Sequence, residues 1–210
     1  MLLSHSHKFL FVHVQRTGGG SITRVLGEYA HVPPSSRIHR YLSKTGLVRD
    51  PLRIRLTAHE TALGARRLLP RSMFDEYFKF ALVRNPWSWL VSLYSRYGTT
   101  QSHRHFKQVS RMSFVEYVDW EVARDKRHQH RFVCDGKGAL IVDFVGQLET
   151  LHADLASACK RIGVEPPSEP PPRVGARPHP DYREYYDDTL RSKVRAHWHR
   201  DVELFAYDFG

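Results

Sequence analysis

An α/β sandwich around a mostly parallel sheet is the fold class this sequence predicts. Three observations carry it. Short β-rich apolar runs alternate with segments of helical periodicity. A glycine-rich turn joins the first such strand to the first such helix. Helix-capping residues stand where the helical patterns begin. With 210 residues, 41% of them hydrophobic, the chain can hold one domain (1–210) with a substantial core, and a second full domain is not expected.

The elements follow in order. Phe9 to Val14 is short, apolar and β-rich, so it reads as a strand behind a leading tail. Gln15 to Ser21 is the glycine-rich turn, and Ile22, Val25, Leu26 and Tyr29 recur at helical spacing after it. Leu52, Ile54 and Leu56 alternate with Arg53, Arg55 and Thr57, which predicts a second strand ending just before His59. A helix is expected over 60–69, stopping at Pro70. Phe78 to Val83 predicts a third strand. Asn85 then caps a helix with Pro86 at its first position and Trp87, Leu90, Val91 and Tyr94 on its buried face. Ser113 and Glu116 form a capping-box pattern that opens another helix. Leu140 to Val145 predicts a fourth strand. Leu148, Leu151, Leu155 and Ile162 line a helix ending at Gly163. Residues 166–180 hold seven of the twelve prolines and read as a loop within the domain. Leu190, Val194, Trp198 and Val202 mark one last helix.

Thirty-two Lys and Arg against 22 Asp and Glu give a net charge of +10, which favours anionic partners without choosing one. Two cysteines, Cys134 and Cys159, exclude a disulfide framework and fit a reducing compartment. No apolar run reaches the length of a membrane span. The first residues carry two histidines and a lysine within their apolar stretch and lack a small-residue cleavage site, unlike a signal peptide. A cytoplasmic location is the expectation.

Two constellations carry chemistry. In Arg16, Thr17, Gly18, Gly19, Gly20 and Ser21, glycines let backbone N–H groups approach an anion, and the following helix adds partial positive charge. Thr17 and Ser21 add hydroxyls, and Arg16 adds a planar cationic fork. The Gly-Lys-Ser/Thr of a Walker loop is missing, so ATP is not the natural ligand. The second constellation is Arg84 and Ser92. Arg84 stands at a strand exit, on the rim where parallel sheets collect ligands, and Ser92 lies about two turns into the next helix.

On these residues the chain resembles the PAPS-dependent sulfotransferases (PAPS is 3′-phosphoadenosine-5′-phosphosulfate). Phe11-Val-His-Val-Gln-Arg-Thr-Gly-Gly-Gly-Ser-Ile22 is similar to their 5′-phosphosulfate loop. Phe80 to Tyr94 is similar to their 3′-phosphate motif, including the eight-residue step from Arg84 to Ser92. Thr57-Ala-His-Glu-Thr-Ala62 resembles the segment that often carries their catalytic base. Tyr182 to Tyr186 and Asp201 to Phe209 resemble the C-terminal end of the Golgi-type and bacterial carbohydrate branch. The likeness spans residues 8–209. It implies a P-loop nucleotide-kinase-like three-layer fold, PAPS as donor, PAP as product, and no required metal. By the same likeness Arg16 to Ile22 hold the 5′-phosphosulfate, Arg84 and Ser92 hold the 3′-phosphate, and His59 is the base; weighed as residues, Glu60 and His39 stay open as substitutes. The family usually has Lys where this chain has Arg16, and Thr or Ser where it has Gly20.

In the mechanism this implies, His59 takes the acceptor proton while Arg16 and the loop stabilise the departing phosphate. The acceptor is an alcohol or amine, with a carbohydrate or small metabolite first, and an anionic glycan is among the candidates. Neither a nucleic-acid partner nor a membrane span is expected. Four histidine pairs, 5/7, 103/105, 128/130 and 197/199, read as solvated surface and not as metal ligands. Arg104, Lys107, Arg111, Arg124, Lys126, Arg127 and Arg131 make a basic stretch that suits an acidic acceptor. Arg173 and Arg177 are weaker candidates to cover the nucleotide. A nucleotide-dependent phosphotransferase and a non-catalytic polyanion-binding protein remain alternatives.

Overall fold

In the computed structural model, residues 1–33, 38, 41–42, 45, 50–172, 174 and 180–210 are described. The chain divides into two interleaved compact units, Met1–Val83 with Arg131–Val174, and Arg84–His130 with Gly175–Gly210. His39, Arg173 and Arg177 lie outside the described residues, as does part of the 166–180 loop.

The first unit is built on a four-stranded sheet: β1 (Leu2–Ser4), β2 (Phe9–Val12), β3 (Phe78–Val83) and β4 (Phe144–Gln147), in that spatial order. β1 runs antiparallel to β2, while β2–β3 and β3–β4 are parallel, with Phe11 opposite Phe80 and Val145 opposite Ala81. All four residues of β2 are buried, as expected for a strand covered on both faces. Phe9 and Phe11 pack on one side with Phe80 and with helices α1 (Gly19–Leu26) and, later in the chain, Leu151–Ile162. Leu10 points the other way, into a cluster with Ile54, Ala65, Leu69 and Phe74. Phe9, Phe11 and Phe80 are at most 1% exposed; each burial contributes roughly 2–3 kcal/mol of transfer free energy.

Helix α2 (Ala62–Leu68) begins where Thr61 Oγ1 accepts the Gly64 N–H, and it stops before Pro70. A further helix, α3 (Arg71–Glu76), leads into β3. On β3, Lys79 is buried, yet its ammonium donates to the carbonyls of Phe74 and Tyr77 and pairs with Asp143 at 2.9 Å. Asp143 also accepts the Lys79 N–H and fixes the chain entering β4.

In the second unit, α4 (Pro86–Thr99) opens on Asn85, whose Oδ1 accepts the N–H groups of Trp87 and Ser88. A short α5 (Phe106–Val109) precedes α6 (Phe114–Arg124), which opens on the Ser113/Glu116 capping box. The turn α7 (His130–Val133) lies at the chain's return to the first unit, where α8 (Leu151–Ile162) ends at Gly163. The final helices, α9 (Asp188–His197) and α10 (His199–Leu204), belong again to the second unit. Its core joins Trp87, Leu90, Tyr117, Leu190, Val194 and Trp198.

Three expectations are corrected. Residues 52–57 are not a strand: Pro51–Arg53 is a 3₁₀ turn held by the Asp50 carboxylate and carbonyl, and the chain beyond it pairs with no strand among the described residues. The alternation there reflects Ile54 entering the core while Leu52 stays 53% exposed. The fourth strand begins at Phe144, because Leu140 bridges back to Cys134 and Ile141 donates to Val133 O. The predicted last helix is two, broken at Trp198, whose φ of −100° and ψ of 23° leave helical geometry. In addition, the leading tail contributes β1, and both cysteines are buried thiols. No helix among the described residues is long and apolar enough to cross a membrane.

Candidate functional site

β2 runs out through His13 and Val14 into the glycine turn. Arg16 takes a left-handed backbone (φ 63°), and Gly18 follows at φ 91°, a value that glycine adopts without strain. Gly18 is the N-cap of α1 and offers no side chain to it. The first-turn N–H groups of α1 are therefore presented in the way helix N-termini meet anions. Gly19 admits no other residue without a rearrangement. A Cβ there would stand 1.8 Å from His13 Nε2.

The two loop hydroxyls donate to backbone carbonyls. Thr17 Oγ1 donates to Val14 O at 3.0 Å, and Ser21 Oγ donates to Pro172 O at 2.6 Å. Ser21 Oγ also accepts from the Val174 N–H, so the proline segment lies against the start of α1. A Cβ at Gly20 would meet Val174 at 3.1 Å, a tight contact. Ile22 is fully buried in the core under the loop and acts by holding α1 to the sheet.

His59 joins this group. It is exposed, in a turn before α2, and its Nδ1 lies 3.0 Å from His13 O. A carbonyl only accepts, so Nδ1 carries the proton and the basic lone pair of neutral His59 is on Nε2. The His13 and His59 rings are 4.6 Å apart. Burial first, and then His59, push the His13 pKa down to about 3, so His13 stays neutral near pH 7. Glu60, the substitute base, accepts from Thr57 Oγ1 at 2.9 Å instead.

Arg84 and Ser92 belong to the second unit. Both Arg84 Nε and a terminal guanidinium nitrogen donate to Ser88 Oγ, at 3.0 and 2.7 Å. Gln129 clasps the Arg84 backbone, accepting its N–H at 2.8 Å and donating to its carbonyl at 2.7 Å. Ser92 is buried one turn beyond Ser88, on the same helix face. A cleft of about 340 Å³ in the first unit is lined by 148–153 and Pro170–Pro171, and by none of the residues predicted to bind the donor or act as base.

The profile described as the sulfotransferase family matches residues 1–208. The chain belongs to the sulfotransferase family. An uncharacterized protein of Archaeoglobus fulgidus is 30% identical over 119 residues, 56% of this chain and 92% of that protein. No solved structure matches the chain. Family membership supports sulfotransfer as the general activity.

In this sulfotransferase, sequence reasoning passed over three residues that contact the predicted ones. His13 stood in the quoted motif, but only folding shows that it walls Gly19 and carries His59 on its carbonyl. Ser88 stood between Arg84 and Ser92, four residues from each, a spacing that signals one helix face. Gln129 had no local signal. Two surface readings are also corrected. His128 is 5% exposed, and His103 stacks on Tyr97 at 4.1 Å; of the paired histidines only His199 is fully on the surface. In the basic stretch, Arg124 and Arg127 pair at 3.4 and 3.2 Å with Glu121, a fully buried carboxylate, so they do not await an acidic acceptor.

Proposed function

We propose that this protein is one catalytic domain of P-loop nucleotide-kinase-like, three-layer architecture that transfers the sulfuryl group of PAPS to a hydroxyl or amine. A carbohydrate or small metabolite is the acceptor class. The observation that carries the reading is the anchoring of His59 to the strand exit that feeds the glycine loop.

The residues fit an anionic donor. Gly18 leaves α1 without a side-chain cap, and Arg16 supplies charge. Arg84, with its guanidinium steadied by Ser88, and Ser92 would hold a 3′-phosphate; Arg16 to Ile22 would hold the 5′-phosphosulfate. A PAPS donor supplies a sulfur whose bond to the 5′-phosphate oxygen breaks as the acceptor oxygen or nitrogen bonds to it. His59 Nε2 receives the acceptor proton. Arg16 and the first-turn N–H groups of α1 steady the negative charge left on the phosphate. The carbonyl of His13 keeps His59 in the tautomer that can accept. Ser21 would give up its bond to Pro172 O to donate to the ligand instead.

His59→Ala is expected to lower PAP formation from PAPS, measured over an acceptor panel, by a hundredfold or more, in the range of general-base losses. PAP affinity should stay within about twofold. Turnover near wild type would move the base elsewhere.

A further inference from the structure

Asp125, His128 and His197 converge in the second unit although the last two are 69 positions apart in sequence. Asp125 caps the C-terminus of α6 in a left-handed conformation (φ 46°), and His197 is the last residue of α9. His128 Nε2 lies 2.7 Å and His197 Nε2 3.4 Å from the same oxygen, Asp125 Oδ1. All three potential ligand atoms fall within 4.8 Å of one another. Zinc bonds of about 2.0–2.1 Å in tetrahedral array separate neighbouring ligand atoms by about 3.3 Å, so small side-chain movements suffice.

Several observations favour an ion over a simple polar contact. His197 Nε2 is buried and makes no hydrogen bond, because its close approach to Asp125 is off the hydrogen-bonding line. His128 is 5% exposed, whereas the Asp125 side chain is 58% exposed and opens a route for solvent to a fourth position. The loop after His128 is rigidly held. Asp201, fully buried, accepts the N–H groups of Gln129 and His130 and pairs with His130 Nδ1 at 2.6 Å. Those three partners occupy the Asp201 carboxylate, which makes the neighbouring His128–His130–Asp201 group the poorer cage and a support for the first.

We propose that Asp125, His128 and His197 bind one divalent transition-metal ion, zinc foremost, which ties the C-terminal end of α6 to that of α9. Two imidazoles and one carboxylate suit zinc, cobalt or nickel better than magnesium or calcium. The ion is structural and separate from the residues assigned to sulfuryl transfer.

The test titrates zinc, cobalt and magnesium chlorides into the tag-free, EDTA-dialysed chain by calorimetry, alongside His197→Gln and Asp125→Asn. Both altered residues are partly exposed, and circular dichroism checks that the variants fold. The expected result is one tight zinc equivalent, absent with magnesium, and at least tenfold weaker in both variants. Zinc at a hundredfold excess over its Kd should raise Tm by roughly 5 °C, with the PAP response unchanged in the variants. Fourteen histidines can bind zinc weakly elsewhere, so zinc binding that is equal in the variants and the parent overturns the proposal. So does the absence of a tight equivalent.

Discussion

His13 shows what a single residue can conceal in sequence. It reads as one more polar residue at a strand end, yet its ring fixes the identity of residue 19 and its carbonyl fixes the tautomer of His59. Burial holds its pKa at about 3, below the ordinary histidine value of 6.5. The unfolded chain therefore binds this proton more readily than the folded one, and the neutral ring's contribution is complete above pH 6.5 and lost progressively as pH falls toward 3. In His13→Gln that component is removed. The slope of unfolding free energy against pH between 6.5 and 4, measured by urea titration, should be shallower in the variant by part of one proton. Equal slopes would show that His13 titrates normally. The glycines themselves were legible, since the strand–glycine–helix order is a pattern of local chemistry. Arg84 and Ser92 were legible by spacing, but Ser88 and Gln129 were not, because their role lies in side-chain direction and in a hydrogen bond that spans 45 residues.

Among the elements, those announced by local chemistry appear as expected. Asn85–Pro86 and Ser113–Glu116 open helices because their side chains satisfy nearby N–H groups, an interaction written within four residues. Strands fared worse where pairing partners decided. Residues 52–57 alternate but meet no partner strand among the described residues, while Leu2–Ser4, too short to display a period, pairs with Phe9–Phe11. Buried charge on an element was also hidden. Glu121 lies inside α6 with Tyr117, Arg124 and Arg127 around it, and burial raises the Tyr97 hydroxyl beneath Arg127 to about 12. Glu121→Ala would strand two cations at low exposure, and the expected loss is about 3 kcal/mol, read as a lower urea midpoint at unchanged slope. An unchanged midpoint would mean that the arginines find solvent and that the carboxylate holds nothing.

For the molecule as a whole, the chain crosses between its units after Val83, His130 and Val174. Arg16 to Ile22 lie in the first unit and Arg84 with Ser92 in the second. Fold class and family were legible because both motifs lie beside β-strands of the parallel sheet, where apolar runs and turn chemistry are densest. The basic stretch carried less than it promised, since Arg124 and Arg127 pair with the buried carboxylate of Glu121. The most direct measurement is the thermal shift produced by PAP, by ATP with Mg²⁺ and by 5′-AMP at matched concentrations, in the parent chain, Arg16→Ala and Arg84→Ala. A shift largest with PAP and reduced in both variants is expected. A shift largest with ATP and Mg²⁺, or a PAP shift indifferent to both arginines, would contradict the assignment.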